Sequence, residues 1–282
     1  MDTIIIDGLS FALPLFIIAI GGIYSEKSGI TNLALEGFQG FGAFTGALAA
    51  VLIANALGTD IQNLFYVALL FAMLGGMAFS VIHAVLSIKF KADQVISGVV
   101  INILALALTT FLTTQINALV FGTASDKFQL GVSQRFTIEG LADIPVIGAI
   151  FTNVYPFEVI IVVIAVFAWY LLYKTRYGMR LRACGENPHS VDTAGVDVAK
   201  IRFSAVLISG LLSGLGGMCF AYSISANFSS SIYMGYGFLA IAALIFGNWR
   251  IVPTLAACLL FGFAKSGGAF IAQSMALPSS FT

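Results

Sequence analysis

The sequence predicts an all-α fold, a polytopic transmembrane helical bundle, and three observations carry that prediction. Of the 282 residues, 59% are hydrophobic and only 9% are charged, and the mean hydropathy is +1.00. A water-soluble domain usually carries about 25% charged residues. Most segments here have no polar face to offer water. Apolar runs of about 17–25 residues, the length a helix needs to cross a bilayer, follow one another along the chain. Lysine and arginine collect in alternate connections between those runs, as they do when one side of a membrane retains positive charge.

Taken in order, residues 3–24 are the first span, with Asp7 near its start and a kink expected at Pro14. Residues 1–3 lack the positive start of a cleavable signal, so this run is read as a retained span. Residues 30–57 form an unusual second run. It carries Asn32, Glu36 and Gln39 and is rich in glycine, so a broken or re-entrant backbone is expected near 32–37. Gly42 and Gly46 are spaced to let a neighbouring helix approach closely. Residues 62–88 are the third span, with His83 near its end, and 95–119 the fourth, with Asn102 inside it. Residues 121–155 are the one long connection. Within it, 138–150 is weakly amphipathic, a pattern suited to the membrane surface. Residues 157–173 are the fifth span and end in interfacial aromatics, Trp169, Tyr170 and Tyr173. Residues 203–222 are the sixth, and Gly210, Gly214 and Gly217 make it a packing helix. The apolar run 233–246 is short for a full span, has glycines 235 and 237 near its start, and suits a half-helix. Residues 252–273 close the set with Lys265 inside. This gives about eight spans. Residues 277–282 read as the lead into one further span.

Between the fifth and sixth spans lies the most basic stretch, residues 174–202, which holds six of the 13 Lys and Arg residues. A short helix is written inside it. Asn187 is an N-cap residue, because its side chain accepts from free first-turn amides. Pro188 follows at the first helical position, where its missing N–H costs nothing. Gly195 supplies a left-handed stop. Two turns, 188–194, are too short to stand alone in water, so this helix must dock, either on its own protein or on a separate cytoplasmic one. With this loop placed inside, a single alternating topology puts ten basic residues on the inner face: Lys27, Lys89, Lys91, the six of 174–202 and Arg250. Only Lys127 and Arg135 fall outside, and the N-terminus is then outside too.

Several chemistries have no signature in the chain. It has no phosphate-cradling G-x-x-x-x-G-K-[ST] sequence, so it has no ATP site of that kind. Cys184, Cys219 and Cys258 are dispersed, and neither His83 nor His189 has a ligand-type neighbour at metal spacing. No cofactor, metal site, enzyme activity or nucleic-acid partner is expected, and the formal charge is zero. The intramembrane polar residues Asn32, Glu36, Asn102 and Lys265 carry two readings. They bond backbone freed at a helix break, or they line a substrate route. Lys265 has three open options: pairing with Glu36, bonding to carbonyls, or snorkelling.

Five stretches carry a resemblance. Residues 25–37, SEKSGITNLALEG, resemble a signature near the N-terminus of ABC importer permeases for nucleosides and simple sugars. Residues 174–178 (KTRYG), 182–188 (RACGENP) and 192–198 (DTAGVDV) resemble that family's cytoplasmic loop. Residues 235–250, GYGFLAIAALIFGNWR, resemble its third signature. Related branches carry branched-chain amino acids or ribose, and the Ser-Glu-x-Ser-Gly start favours nucleosides. There are departures: Ser190 and Val191 stand where small alanines are usual, and the proline after Arg250 comes late. The closing span of the family is not seen. The resemblance implies a single permease domain over 1–282 in a bacterial cytoplasmic (inner) membrane, surrounded by lipid. It implies three partners: a cytoplasmic ATP-binding subunit, a second permease subunit and an extracytoplasmic substrate-binding protein. It also implies that Glu186, Asn187, Pro188, His189, Ser190, Val191, Asp192, Thr193, Ala194 and Gly195 couple to the ATPase. Two other readings remain open on the residues alone, an ion-coupled secondary transporter and a scaffolding subunit.

Overall fold

The computed structural model describes residues 2–123, 125–131, 135–140 and 148–275. Among these residues ten α-helices follow one another: α1 (Asp2–Lys27), α2 (Leu35–Leu57), α3 (Phe65–Ala84), α4 (Gln94–Val120), α5 (Pro156–Lys174), α6 (Arg176–Glu186), α7 (Pro188–Thr193), α8 (Val198–Ile224), α9 (Tyr236–Phe246) and α10 (Ile251–Ser274). Seven of them are long and apolar enough to cross a membrane, α3 being extended to Lys89 by a π-helical turn. The eighth expected span is α9, which has only 11 residues. Pro14 is accommodated within the continuous α1. Two short strands, β1 (Lys127–Gln129) and β2 (Asn227–Ser229), pair antiparallel with Phe128 opposite Phe228. This pairing closes the end of the bundle and was not expected from sequence. The amphipathic stretch anticipated at 138–150 falls largely outside the described residues, as does the suspected lead into a further span at 277–282.

The helices at the centre are those that hide their whole circumference. Helices α1 and α8 are the most buried of the spans. Small residues allow this. A Cβ on Gly42 of α2 would lie 2.4 Å from the Cα of Gly214 on α8, so the two backbones touch where they cross. In lipid, where apolar burial gives no advantage over contact with tails, such close packing is the main source of helix association. Around this centre α3, α9 and α10 pack on α8 and α1. The outer faces of α4, α5 and α10 expose large apolar side chains such as Ile103, Val163 and Val252.

Polar contacts sort the connections by end. Arg202 Nε donates to the Ser28 carbonyl at 3.0 Å and Nη2 to the Cys184 carbonyl at 3.3 Å. Trp249 Nε1 donates to Glu26. The Thr31 amide donates to Gln94 Oε1 at 2.7 Å. These contacts gather the turn after α1, the turn before α4, the 174–202 loop and the turn between α9 and α10 at one end. The positive residues 27, 89, 91, 250 and those of 174–202 are therefore on a common face. Lys127 lies on β1 at the opposite end. The basic loop itself contains more structure than expected, because α6 occupies 176–186 and packs on α5.

Candidate functional site: two broken helices at membrane depth

Two irregular stretches enter the bundle, and the polar residues singled out above belong to them. The first is 30–34. The chain leaves α1, turns at Gly29 and runs unwound until α2 starts at Leu35. The break thus precedes the helix, and Glu36 and Gly37 already lie in its first turn, so Asn32 and Glu36 do not share a helical face. Several polar groups of this stretch are answered by side chains. Asn32 Oδ1 accepts from the Ala34 amide at 3.0 Å, and its Nδ2 donates to Ser209 Oγ at 2.9 Å. Asn102 on α4 bonds both sides of the break. Its Nδ2 donates to the Leu33 carbonyl at 2.8 Å, and its Oδ1 accepts from the Gly37 amide at 2.8 Å. His83 Nε2 lies 3.3 Å from the Thr31 carbonyl and Nδ1 3.0 Å from Ser97 Oγ. Buried backbone groups without partners cost several kcal/mol in hydrocarbon, so these side chains are what make the break possible.

The second break is 230–235, which leads from β2 into α9. Its depth is fixed by its partners. Tyr233 hydroxyl lies 3.0 Å from Thr109 Oγ1, near the midpoint of the 27-residue α4. Gln39 Nε2 donates to the Tyr233 carbonyl at 2.8 Å. Helix α9 therefore starts inside the membrane and reaches the basic end at Trp249, so the crossing is half irregular and half helical. Its N-terminus is closed by Glu36. The carboxyl Oε2 accepts from the Gly235 amide at 2.9 Å. A helix N-terminus leaves such amides free and favours an acidic partner. A Cβ at Gly237 would lie 2.5 Å from the Glu36 backbone, so only glycine lets α9 come this near to α2. Glu36 thus secures a helix break, but the break is in α9 and not in its own span.

Lys265 reaches the same element from another side. Its Nζ donates to the Tyr236 hydroxyl and sits 4.0 Å from the centre of the Phe11 ring and 4.5 Å from that of Tyr236. None of the three options open in the sequence describes this. Lys265 also borders an outer cavity of about 490 Å³ lined by Asp7, Ser10, Arg135 and Gln273. Behind it, Ser10 Oγ donates to the buried Glu158 at 2.7 Å. Glu36 and Lys265 therefore converge on the start of α9, whereas Asn32 and Asn102 serve the other break. Gln39, His83, Gln94 and Ser209 belong to the same constructions and were not singled out as site residues. Polar side chains inside apolar runs were their signal, and Gln39 and His83 showed it.

At the basic end α7 has the caps that its sequence predicts. Asn187 Oδ1 accepts from the Ser190 amide at 3.1 Å and Pro188 takes the first position. Gly195 has φ +77°, and Val196 N–H bonds the Val191 carbonyl at 3.2 Å. The helix ends at Thr193 with Ala194 as its cap. His189, Ser190, Asp192, Thr193, Ala194 and Gly195 are exposed, as are Glu186 and Asn187, while Val191 is buried. Val191 is turned inward and packs α7 on its own protein. Beside α7 runs a groove of about 830 Å³ between the 87–94 turn and the 188–202 segment. Among the described residues no group of His, Cys, Asp and Glu is placed to hold a metal ion.

The family model described as branched-chain amino acid transport system / permease component matches residues 4–281. The chain belongs to that family. Within it, a guanosine ABC transporter permease protein, NupQ of Bacillus subtilis, is 42% identical over 92% of this chain and 79% of its own length. A nucleoside ABC transporter permease protein, NupC of Lactococcus lactis, is 39% identical over 100% of this chain and 87% of its own. A putative glucose ABC transporter permease protein, TsgC13 of Haloferax volcanii, is 29% identical over 89% of this chain and 72% of its own. No solved structure matches the chain. As a family member the chain is a transport component of the membrane, multi-pass and not itself a catalyst.

Proposed function

We propose that this permease carries nucleosides inward as one subunit of an ATP-driven importer in a bacterial cytoplasmic membrane. The observation that carries the reading is the pair of relatives named for guanosine and nucleoside transport, at 42% and 39% identity over 92% and 100% of this chain. The glucose permease is more distant at 29%. The architecture supports the reading in two places. The basic end presents α7, a capped helix too short for independent stability, with its outward residues free to meet another protein. That other protein is a cytoplasmic ATP-binding subunit, docking on 186–195 except Val191. Two irregular stretches braced by polar side chains, one entering from the basic end and one at membrane depth, give a bundle whose halves can be re-set against each other. The ATPase supplies the energy, and a second permease subunit and an extracytoplasmic binding protein complete the route. The positive-inside rule then places the basic end in the cytoplasm and the N-terminus outside.

The test is uptake of labelled guanosine by cells carrying the complete transporter, with unlabelled competitors. Adenosine or inosine should compete, and glucose and leucine should not. Competition by glucose or leucine alone would transfer the chain to the sugar or amino-acid branch.

A further inference from the structure

The break at 230–235 does not stay inside the bundle. Ser231 and Gly235 are exposed and Met234 is 53% exposed, at the depth of the midpoint of α4. Beside them Thr110, also exposed, donates to Ser230 Oγ at 2.8 Å. Glu36, half-buried, completes the strip at the start of α9. Irregular backbone at membrane depth is tolerated only where protein covers it or water reaches it, because hydrocarbon offers unpaired N–H and C=O groups no partner. The apolar outward surfaces of α4 and α5 are continuous helix and have no such feature. The geometry points to this strip, Thr110, Ser230, Ser231, Gly235 and Glu36, as one wall of a water-filled substrate route, suited to uncharged, hydroxyl-bearing solutes. Its hydrogen-bonding groups among the described residues are hydroxyls, backbone amides and a carboxyl already engaged by α9. Lys265, the nearby cation at this depth, is turned to the Tyr236 hydroxyl and the Phe11 ring. A phosphorylated solute would therefore meet no cation along the wall, and would be disfavoured beside Glu36. The location of the wall is independent of substrate identity, whereas the choice of nucleoside as the solute rests on the reading given above.

Thr110→Cys and Ser231→Cys, made singly in the assembled transporter, place thiols on the wall. The native cysteines are buried, so the unsubstituted protein is the blank. Thr123→Cys serves as the water-exposed reference and Val163→Cys, on the apolar face of α5, as the lipid-facing one. A charged methanethiosulfonate reagent should modify both wall positions at rates near that of Thr123→Cys, and Val163→Cys at least about tenfold more slowly, since a charged reagent partitions poorly into hydrocarbon. Failure at both wall positions, with reaction by a membrane-soluble maleimide, would show that lipid covers them and overturn the proposal. Failure with both reagents would show a dry protein contact and overturn it equally. Guanosine should slow the modification and guanosine monophosphate should not. Equal protection by the monophosphate would refute the preference for uncharged solutes. Rapid modification that guanosine leaves unchanged would uphold the wet wall and count against the nucleoside as its occupant.

Discussion

Glu36 is the residue on which α9 depends, because it answers the amides that a helix starting inside a membrane leaves free. Replacing it by leucine removes the acceptor for Gly235 while leaving the donor in place, a cost of about 1–3 kcal/mol. Glu36→Gln keeps an acceptor oxygen and should cost less. Thermal unfolding in detergent should therefore rank wild type above Glu36→Gln above Glu36→Leu. A fully stable Glu36→Leu that changed only transport selectivity would reassign the residue to the substrate alone. Cys184 gives a second prediction at this scale. It is fully buried beside the Arg202 contact, and burial pushes its thiol above the ordinary value, although the Arg202 charge opposes this. Since the thiolate is the reactive form, Cys184 should resist an impermeant maleimide at neutral pH from either side of the membrane. Mass spectrometry of the labelled protein checks this, and prompt modification of Cys184 would mean that α6 lifts from its seat.

Among the elements, α7 is the one whose form the sequence specifies almost fully. Asn187, Pro188 and Gly195 each act on their own backbone, so no distant contact is needed to predict them. The burial of Val191 was not legible, because burial depends on what surrounds the helix, and a six-residue helix carries too little pattern to show which side faces in. Gly195→Val places a β-branched side chain at φ +77°, at a cost of about 1 kcal/mol or more. It touches no span, so the bundle should fold, while ATP hydrolysis loses its coupling to uptake. In reconstituted vesicles, stimulation of ATPase activity by the loaded binding protein should fall with uptake. Wild-type behaviour in both would remove the coupling role from this loop. The second break shows the limit of local reading. Residues 233–246 were recognisable as too short for a span, from length and the glycines near their start. That Glu36, 199 residues earlier, closes its N-terminus depends on packing that no local pattern encodes. For the same reason β1 and β2, three residues each, were not legible, and α6 was hidden by glycines and charge.

On the scale of the whole molecule, hydropathy gave the bundle and charge the grouping of basic residues at one end, because crossing a bilayer constrains length and charge more tightly than any soluble fold does. Ten basic residues on one end against two on the other make a direct topological prediction. Cysteines at Thr123 and Ser190 should react with an impermeant reagent from opposite sides, Thr123→Cys in intact cells and Ser190→Cys only in inverted membranes. Labelling of both in intact cells would refute the assignment. What composition could not supply was the energy source, since broken helices with polar residues at mid-depth also suit ion-driven carriers. The most direct measurement is therefore guanosine uptake into proteoliposomes holding this chain with its partner permease, ATPase and binding protein. ATP is supplied only on the side of the basic end, with no ion gradient. The account predicts uptake that requires ATP and the binding protein and is indifferent to imposed proton or sodium gradients. Uptake that follows such a gradient without ATP would contradict it.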